Sequence, residues 1–124
     1  MSKTWQLEDH LPPTLKVGSR IYRCLLMKDV DAARDQQFAH IDHNSREIRF
    51  AGYITWAKAA ESMIHEMIHA IIYHWAISEK QDDDQFTVTN EEGMVFRLCS
   101  GLTTVMLDNP EVMQWILRGL RSDL

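Results

Sequence analysis

The sequence predicts an α+β domain, a small antiparallel sheet of about three strands followed by three helices. Three observations predict it. Short runs rich in β-branched and aromatic residues are confined to the first fifty residues. Apolar residues at helical spacing take over from Trp56 onward. Polar segments separate the runs, with no repeat and no low-complexity stretch.

The elements follow in order. Residues 1–19 read as a polar lead-in, in which Pro12-Pro13 forces an extended path and Gly18 marks a turn. Residues 20–124 then form one domain. Ile21 to Val30 reads as a strand, and residues 31–36 as a polar connection. Phe38 to Ile41 and Glu47 to Phe50 flank His43-Asn44-Ser45-Arg46 and read as a β-hairpin with an Asn-Ser turn. Gly52 breaks the second of these strands.

Thr55 is an N-cap for a helix running from Trp56 to about Ile77. Its apolar face is Ala60, Met63, Ile64, Met67, Ile68, Ile71 and Ile72. Lys80 to Asn90 reads as a polar loop holding Asp82-Asp83-Asp84, a solvated acidic run. Asn90 caps a second helix, with Val95, Leu98, Leu102, Val105 and Met106 as its inward face. Asp108-Asn109-Pro110 ends that helix, and Glu111 to Leu120 is a third, amphipathic one with Pro110 at its first turn.

With 124 residues, 45% of them hydrophobic and 25% charged, the chain can bury a core without disulfides. Cys24 and Cys99 sit in apolar stretches and read as buried free thiols. A net charge of -5 argues against bulk nucleic-acid binding. No apolar run approaches a membrane span, and Met1 to His10 lacks the apolar segment of a secretory signal, so the expected location is the cytoplasm. Trp56, Trp75 and Trp115 read as core or interface residues, and Trp5 as a residue that docks on the domain or on a partner.

His65-Glu66-Met67-Ile68-His69 carries the chemistry. Residues four apart on a helix lie about 40° apart around its axis, so His65 and His69 point the same way, one turn apart. Two imidazoles so placed hold one Zn²⁺, while Glu66, about 100° round from His65, stands beside the metal as a proton acceptor. A catalytic zinc takes a third protein ligand. His74 is nine residues after His65 and faces away on an unbroken helix. His40 and His43 lie on the hairpin, where they flank a cleft. Glu91 and Glu92 are the better candidates. Glu91 precedes Val95 by one turn and Glu92 borders the same face, and sequence does not separate the two.

The order of strand, hairpin, His-Glu-Met-Ile-His helix and Glu-bearing helix, over roughly residues 20–108, resembles the zincin metallopeptidases of the small gluzincin type. These are the minigluzincins and the phage-associated zinc peptidases of ImmA/IrrE type. The resemblance implies a zincin-like fold, zinc ligands His65, His69 and Glu91 or Glu92, and Glu66 as general base. ImmA/IrrE proteins usually place an Ala after the ligand Glu, where this chain has Gly93 after Glu92. His65 to Ala70 also resembles the motif of the SprT-like peptidases, but their downstream ligand His has no counterpart after His74. The implied reaction is hydrolysis of a peptide bond in a protein or peptide substrate by metal-activated water. The substrate would lie along an edge strand, either Phe38–Ile41 or Glu47–Phe50. Tyr73, four residues after His69, or Tyr53 would stabilise the developing oxyanion. The alternative is a zinc-stabilised accessory or regulatory binding protein with little turnover. Glu66 discriminates the two, because a structural site needs no general base.

Overall fold

Tyr22 and Cys24 point to one side of their strand and Ile21 and Arg23 to the other, so one face of the sheet is buried and the other wet. The computed structural model describes residues 5–28, 38–75 and 90–122. It is an α+β arrangement of strands β1 (Thr14–Val17), β2 (Arg20–Leu26), β3 (Ala39–Asp42) and β4 (Glu47–Phe50), then helices α1 (Trp56–His74), α2 (Asn90–Asp108) and α3 (Pro110–Leu120). The expected connection at residues 31–36 and the Asp82-Asp83-Asp84 loop lie outside the described residues, whereas α1, expected to run to about Ile77, ends at His74 with Trp75 as its C-cap, whose amide donates to the Ile71 carbonyl. No described helix is long and apolar enough to cross a membrane.

The α+β class matches the sequence reading, and the sheet departs from it in two ways. It has four strands, because Thr14–Val17, inside the expected lead-in, pairs antiparallel with β2. Pro12-Pro13 does lead into extended chain, and Gly18 makes the β1–β2 turn at φ 62°. The sheet is also mixed, in the order β1-β2-β4-β3, with β2 and β4 parallel. Burial explains which hairpin strand goes inside. Ile48 and Phe50 of β4 are fully buried, whereas β3 alternates between exposed and half-buried positions. The parallel register also sets Arg23 opposite Glu47. Glu47 accepts hydrogen bonds from Arg23 and, at 2.7 Å, from Arg49, and these hold its carboxyl below the usual range.

Thr55 caps α1, its hydroxyl accepting from the Lys58 amide at 3.1 Å. Ala59, Ala60, Met63, Met67, Ala70 and Ile71 pack this helix on the sheet and on α3. Ile68 and Ile72, expected on the same face, are at its exposed margin. In α2 the predicted face is rotated. Val105 is buried, but Val95, Leu102 and Met106 are exposed, and so is Cys99. Glycine is the cause. A Cβ at Gly101 would stand 2.5 Å from Ile71 Cγ2 and 3.1 Å from the Trp75 ring, so α2 turns its glycines, not its largest apolar residues, toward α1. The lead-in is packed too. Leu7 is buried, and Trp5 stacks on His10 and Trp56.

Asn109, read from sequence as a helix stop, ties the helices to the sheet. Its side chain accepts from the Lys16 amide and donates to the Lys16 carbonyl, each at 2.7 Å, and donates to the Val105 carbonyl at 2.8 Å. A buried carboxamide thus takes the place of a neighbouring strand at the β1 edge. Asn109→Ala is expected to cost about 2–3 kcal/mol in chemical denaturation, since it removes three hydrogen bonds and strands two backbone groups. Burial pushes the Cys24 thiol up to about 12, whereas Cys99 is open. In a thiol titration with a chromogenic disulfide, Cys99 should react in the native protein and Cys24 only after unfolding; equal rates would contradict this packing.

Candidate metal centre and cleft

Apolar packing sets the rotation of α1, and that rotation presents His65 and His69 to solvent side by side. Their Nε2 atoms lie 3.2 Å apart, with the ring planes 70° to one another. A tetrahedral zinc with two imidazole nitrogens at about 2.0–2.1 Å requires them to be about 3.3 Å apart. The observed pair fits that edge, so the nitrogen donors of the motif suit the metal that the sequence implies.

Glu66 occupies the next position round the helix, turned partly into the core. It is only 6% exposed, and its Oε1 lies 4.0 Å from His65 Nε2. Burial raises the affinity of this carboxyl for a proton, and nearby His69 and His65 oppose the effect. The net shift is upward. A carboxylate so placed is a stronger base than one in water.

Glu66, His65 and His69 line a cleft of about 480 Å³ whose opposite wall is β3. Among the described strands, β3 stands at the sheet edge and pairs only with β4, whereas β4 is paired on both sides. Lys58 bounds one end of the cleft, with Nζ 3.8 Å from Glu61 and 4.6 Å from the centre of the Phe38 ring. His40 and His43 both line the cleft, as the hairpin reading anticipated.

The hairpin turn is held by Asp42, whose Oδ1 accepts from the amides of Asn44 and Ser45 at 2.9 and 3.1 Å. The left-handed position of the turn falls at Arg46, φ 58°, rather than at Asn44 or Ser45. This turn places His43 face to face with Tyr73, ring centres 4.0 Å apart and planes within 5°. Tyr22 and His43 Nδ1 share a hydrogen bond of 2.9 Å. Burial, and then the charges of Arg20 and His69, hold His43 below the usual histidine range. Tyr73, the sequence candidate for the oxyanion, is the platform of this stack, with the Arg20 guanidinium 4.8 Å from its ring centre. Tyr53, the other candidate, is exposed and outside the cleft lining. No local pattern in the sequence marks His43, since the group that orients it is twenty-one residues away.

The remaining predicted residues are not brought to this place. Glu91 and Glu92 are exposed in the first turn of α2. The inference that Glu91 faces inward depended on Val95, which is 58% exposed. Among the described residues, no three His, Cys, Asp or Glu side chains are grouped to hold one metal ion. His74 lies against Gly18, away from the pair, as its spacing required. Comparison of the chain with protein-family models, curated proteins and solved structures gives no match.

Elemental analysis of zinc-reconstituted protein should find about one zinc per chain in the wild type and none in His69→Ala. If Glu91→Ala or Glu92→Ala also loses the metal, α2 supplies the third ligand in the metal-loaded protein. Full retention of zinc by both would remove α2 from the site.

Proposed function

We propose that the chain is a zinc-dependent metallopeptidase of the small gluzincin type, hydrolysing a peptide bond in a protein or peptide substrate. One observation carries the reading. Two imidazole nitrogens 3.2 Å apart and a buried carboxylate 4.0 Å from one of them form the floor of a cleft walled by an edge strand. His65 and His69 would hold the ion, and Glu91 or Glu92 remains the proposed third ligand. When bound, zinc supplies Lewis acidity, which polarises the scissile carbonyl and lowers the pKa of a water.

The chain's own groups do the rest. The edge of β3, unpaired among the described residues, offers backbone groups to an extended peptide, which fixes the scissile bond above His65 and His69. Glu66 accepts the proton of the attacking water as the new C–O bond forms. It returns that proton to the amine nitrogen as the C–N bond breaks. Its burial suits the first step, because a raised proton affinity helps the acceptance.

A second reading is a zinc-stabilised binding or regulatory protein with little turnover. It is favoured by one observation, that the described residues bring together two nitrogen ligands without a third. Glu66 decides between the readings. Wild-type protein loaded with zinc and incubated with a mixed library of quenched-fluorescent peptides should cleave a subset of them. Glu66→Gln should retain the metal and lose hydrolysis by about 10²–10⁴-fold. Cleavage undiminished in Glu66→Gln would refute the mechanism, and a zinc-loaded wild type that cleaves nothing would favour the binding protein.

A further inference from the structure

The hairpin side of the cleft contains a second functional group. It is read from a chain of donors that begins at Arg20. The Arg20 guanidinium donates to the His43 carbonyl at 3.3 Å, and its charge stands near the buried Tyr22 hydroxyl. A guanidinium has donors only, so it cannot take the phenolic proton. That proton goes to the hydrogen-bond partner of Tyr22, His43 Nδ1 at 2.9 Å. With Nδ1 accepting, the proton of the neutral imidazole resides on Nε2. Tyr22 is fully buried, whereas His43 is half-buried and lines the cleft. The ring edge that faces Tyr22 is therefore the inner one, and the edge carrying Nε2–H is the outer one.

The ring is also fixed in place. It stacks on Tyr73 at 4.0 Å and within 5° of parallel, and Arg20 covers the Tyr73 ring at 4.8 Å. Tyr73 is one helical turn beyond His69, so the stack stands one turn along α1 from the imidazole pair. Orientation, tautomer and position are set before any substrate arrives, as a preorganised oxyanion donor requires.

We propose that His43 presents Nε2–H as a hydrogen-bond donor to the scissile carbonyl oxygen as that oxygen gains negative charge. Tyr73 is its platform, and Tyr22 and Arg20 are positioning residues that set its tautomer. This rests on the peptidase reading and deepens it, since it moves the oxyanion role from Tyr73, where sequence had placed it, to a residue upstream of the motif. The lone positive-φ residue of the turn, Arg46, and the Asp42 hydrogen bonds are then parts of the device that holds the donor in place.

The test uses the full chain loaded with zinc, a fluorogenic peptide that wild type cleaves, and the phosphonamidate analogue of the same peptide, which mimics the tetrahedral transition state. Four quantities are measured for wild type, His43→Ala, His43→Gln and Tyr22→Phe: zinc per chain, kcat, KM and phosphonamidate affinity. His43→Ala should keep its zinc and its KM and lose about 10²–10³-fold in kcat. Its phosphonamidate affinity should fall in parallel with kcat/KM, a correlation that a merely structural role would not produce. His43→Gln, which restores a side-chain N–H, should recover part of the loss. Tyr22→Phe, which frees the tautomer, should fall between wild type and His43→Ala. If His43→Ala loses its zinc, His43 is a metal ligand and the donor role is wrong. If wild type is active and His43→Ala stays within about threefold of it, the donor role fails while the peptidase reading stands. A wild type that neither cleaves peptides nor binds the phosphonamidate overturns both.

Discussion

The rotation of α1 about its own axis is the constraint on which the rest of the site depends. Ala59, Ala60 and Ala70 bring the helix close to its neighbours, and Met63, Met67 and Ile71 fill the space between. Gly119 of α3 fixes the approach from the other side, since a Cβ there would stand 2.6 Å from Trp56 and 2.8 Å from Ala60. A helix packed by small residues at these points has little freedom to turn. Giving Glu66 to solvent would bring Met63 to the rim of the core. Full burial of a methionine is worth about 1.5–3 kcal/mol, the same order as the desolvation cost of a polar group. Apolar packing therefore holds the carboxyl in a place it would not choose and keeps its proton affinity raised.

The opposite wall depends on a non-local choice, the insertion of β4 between β2 and β3. The parallel pairing sets exposed Arg23 against buried Glu47 and Cys24 against Ile48 in the core. It leaves β3 at the edge, above α1, and carries the 43–46 turn to Tyr73 near the end of the helix. At the far edge of the sheet, Asn109 satisfies backbone groups of Lys16. The two sheet edges thus have opposite treatments. One is closed by a side chain, and the other, beside the imidazole pair, has no partner strand among the described residues.

Much of this was legible because it is periodic. The motif helix, its Thr55 cap, the two hairpin strands and Pro110 at the start of the last helix are local patterns, and each begins within a residue of its predicted place. What was not legible is non-local or lacks an apolar side chain. Thr14–Val17 is four residues long and gives too short an alternation to stand out. Nothing in β2 or β4 announces that they pair in parallel. Gly93 and Gly101 do not register in a count of apolar residues, yet close helix contact is made through Gly101, so the face of α2 was placed on the wrong side. The proposed Glu ligands inherit that displacement, since their orientation was counted from Val95. His65, Glu66 and His69 escaped it, because their mutual geometry belongs to the helix itself.

The same distinction explains how so short a chain reaches a reactive arrangement. A helix supplies the imidazole pair and its neighbouring carboxylate from five consecutive residues, with spacing fixed by the backbone and no long-range contact needed to bring them together. The costly part is everything that must arrive from elsewhere. Here the core bears that cost by giving its residues second duties. Tyr22 is at once a fully buried strand residue and the partner of His43 Nδ1. Tyr73 continues the helix and carries the stack. Arg20 begins β2, donates to the His43 carbonyl and covers the Tyr73 ring. Stability and site geometry are therefore coupled through these residues, and loosening the hairpin would disorder His43 before it disturbed His65 or His69. The geometry of the helix half of the cleft is local to α1, and the hairpin half is the part through which packing of the sheet would bear on the proposed chemistry.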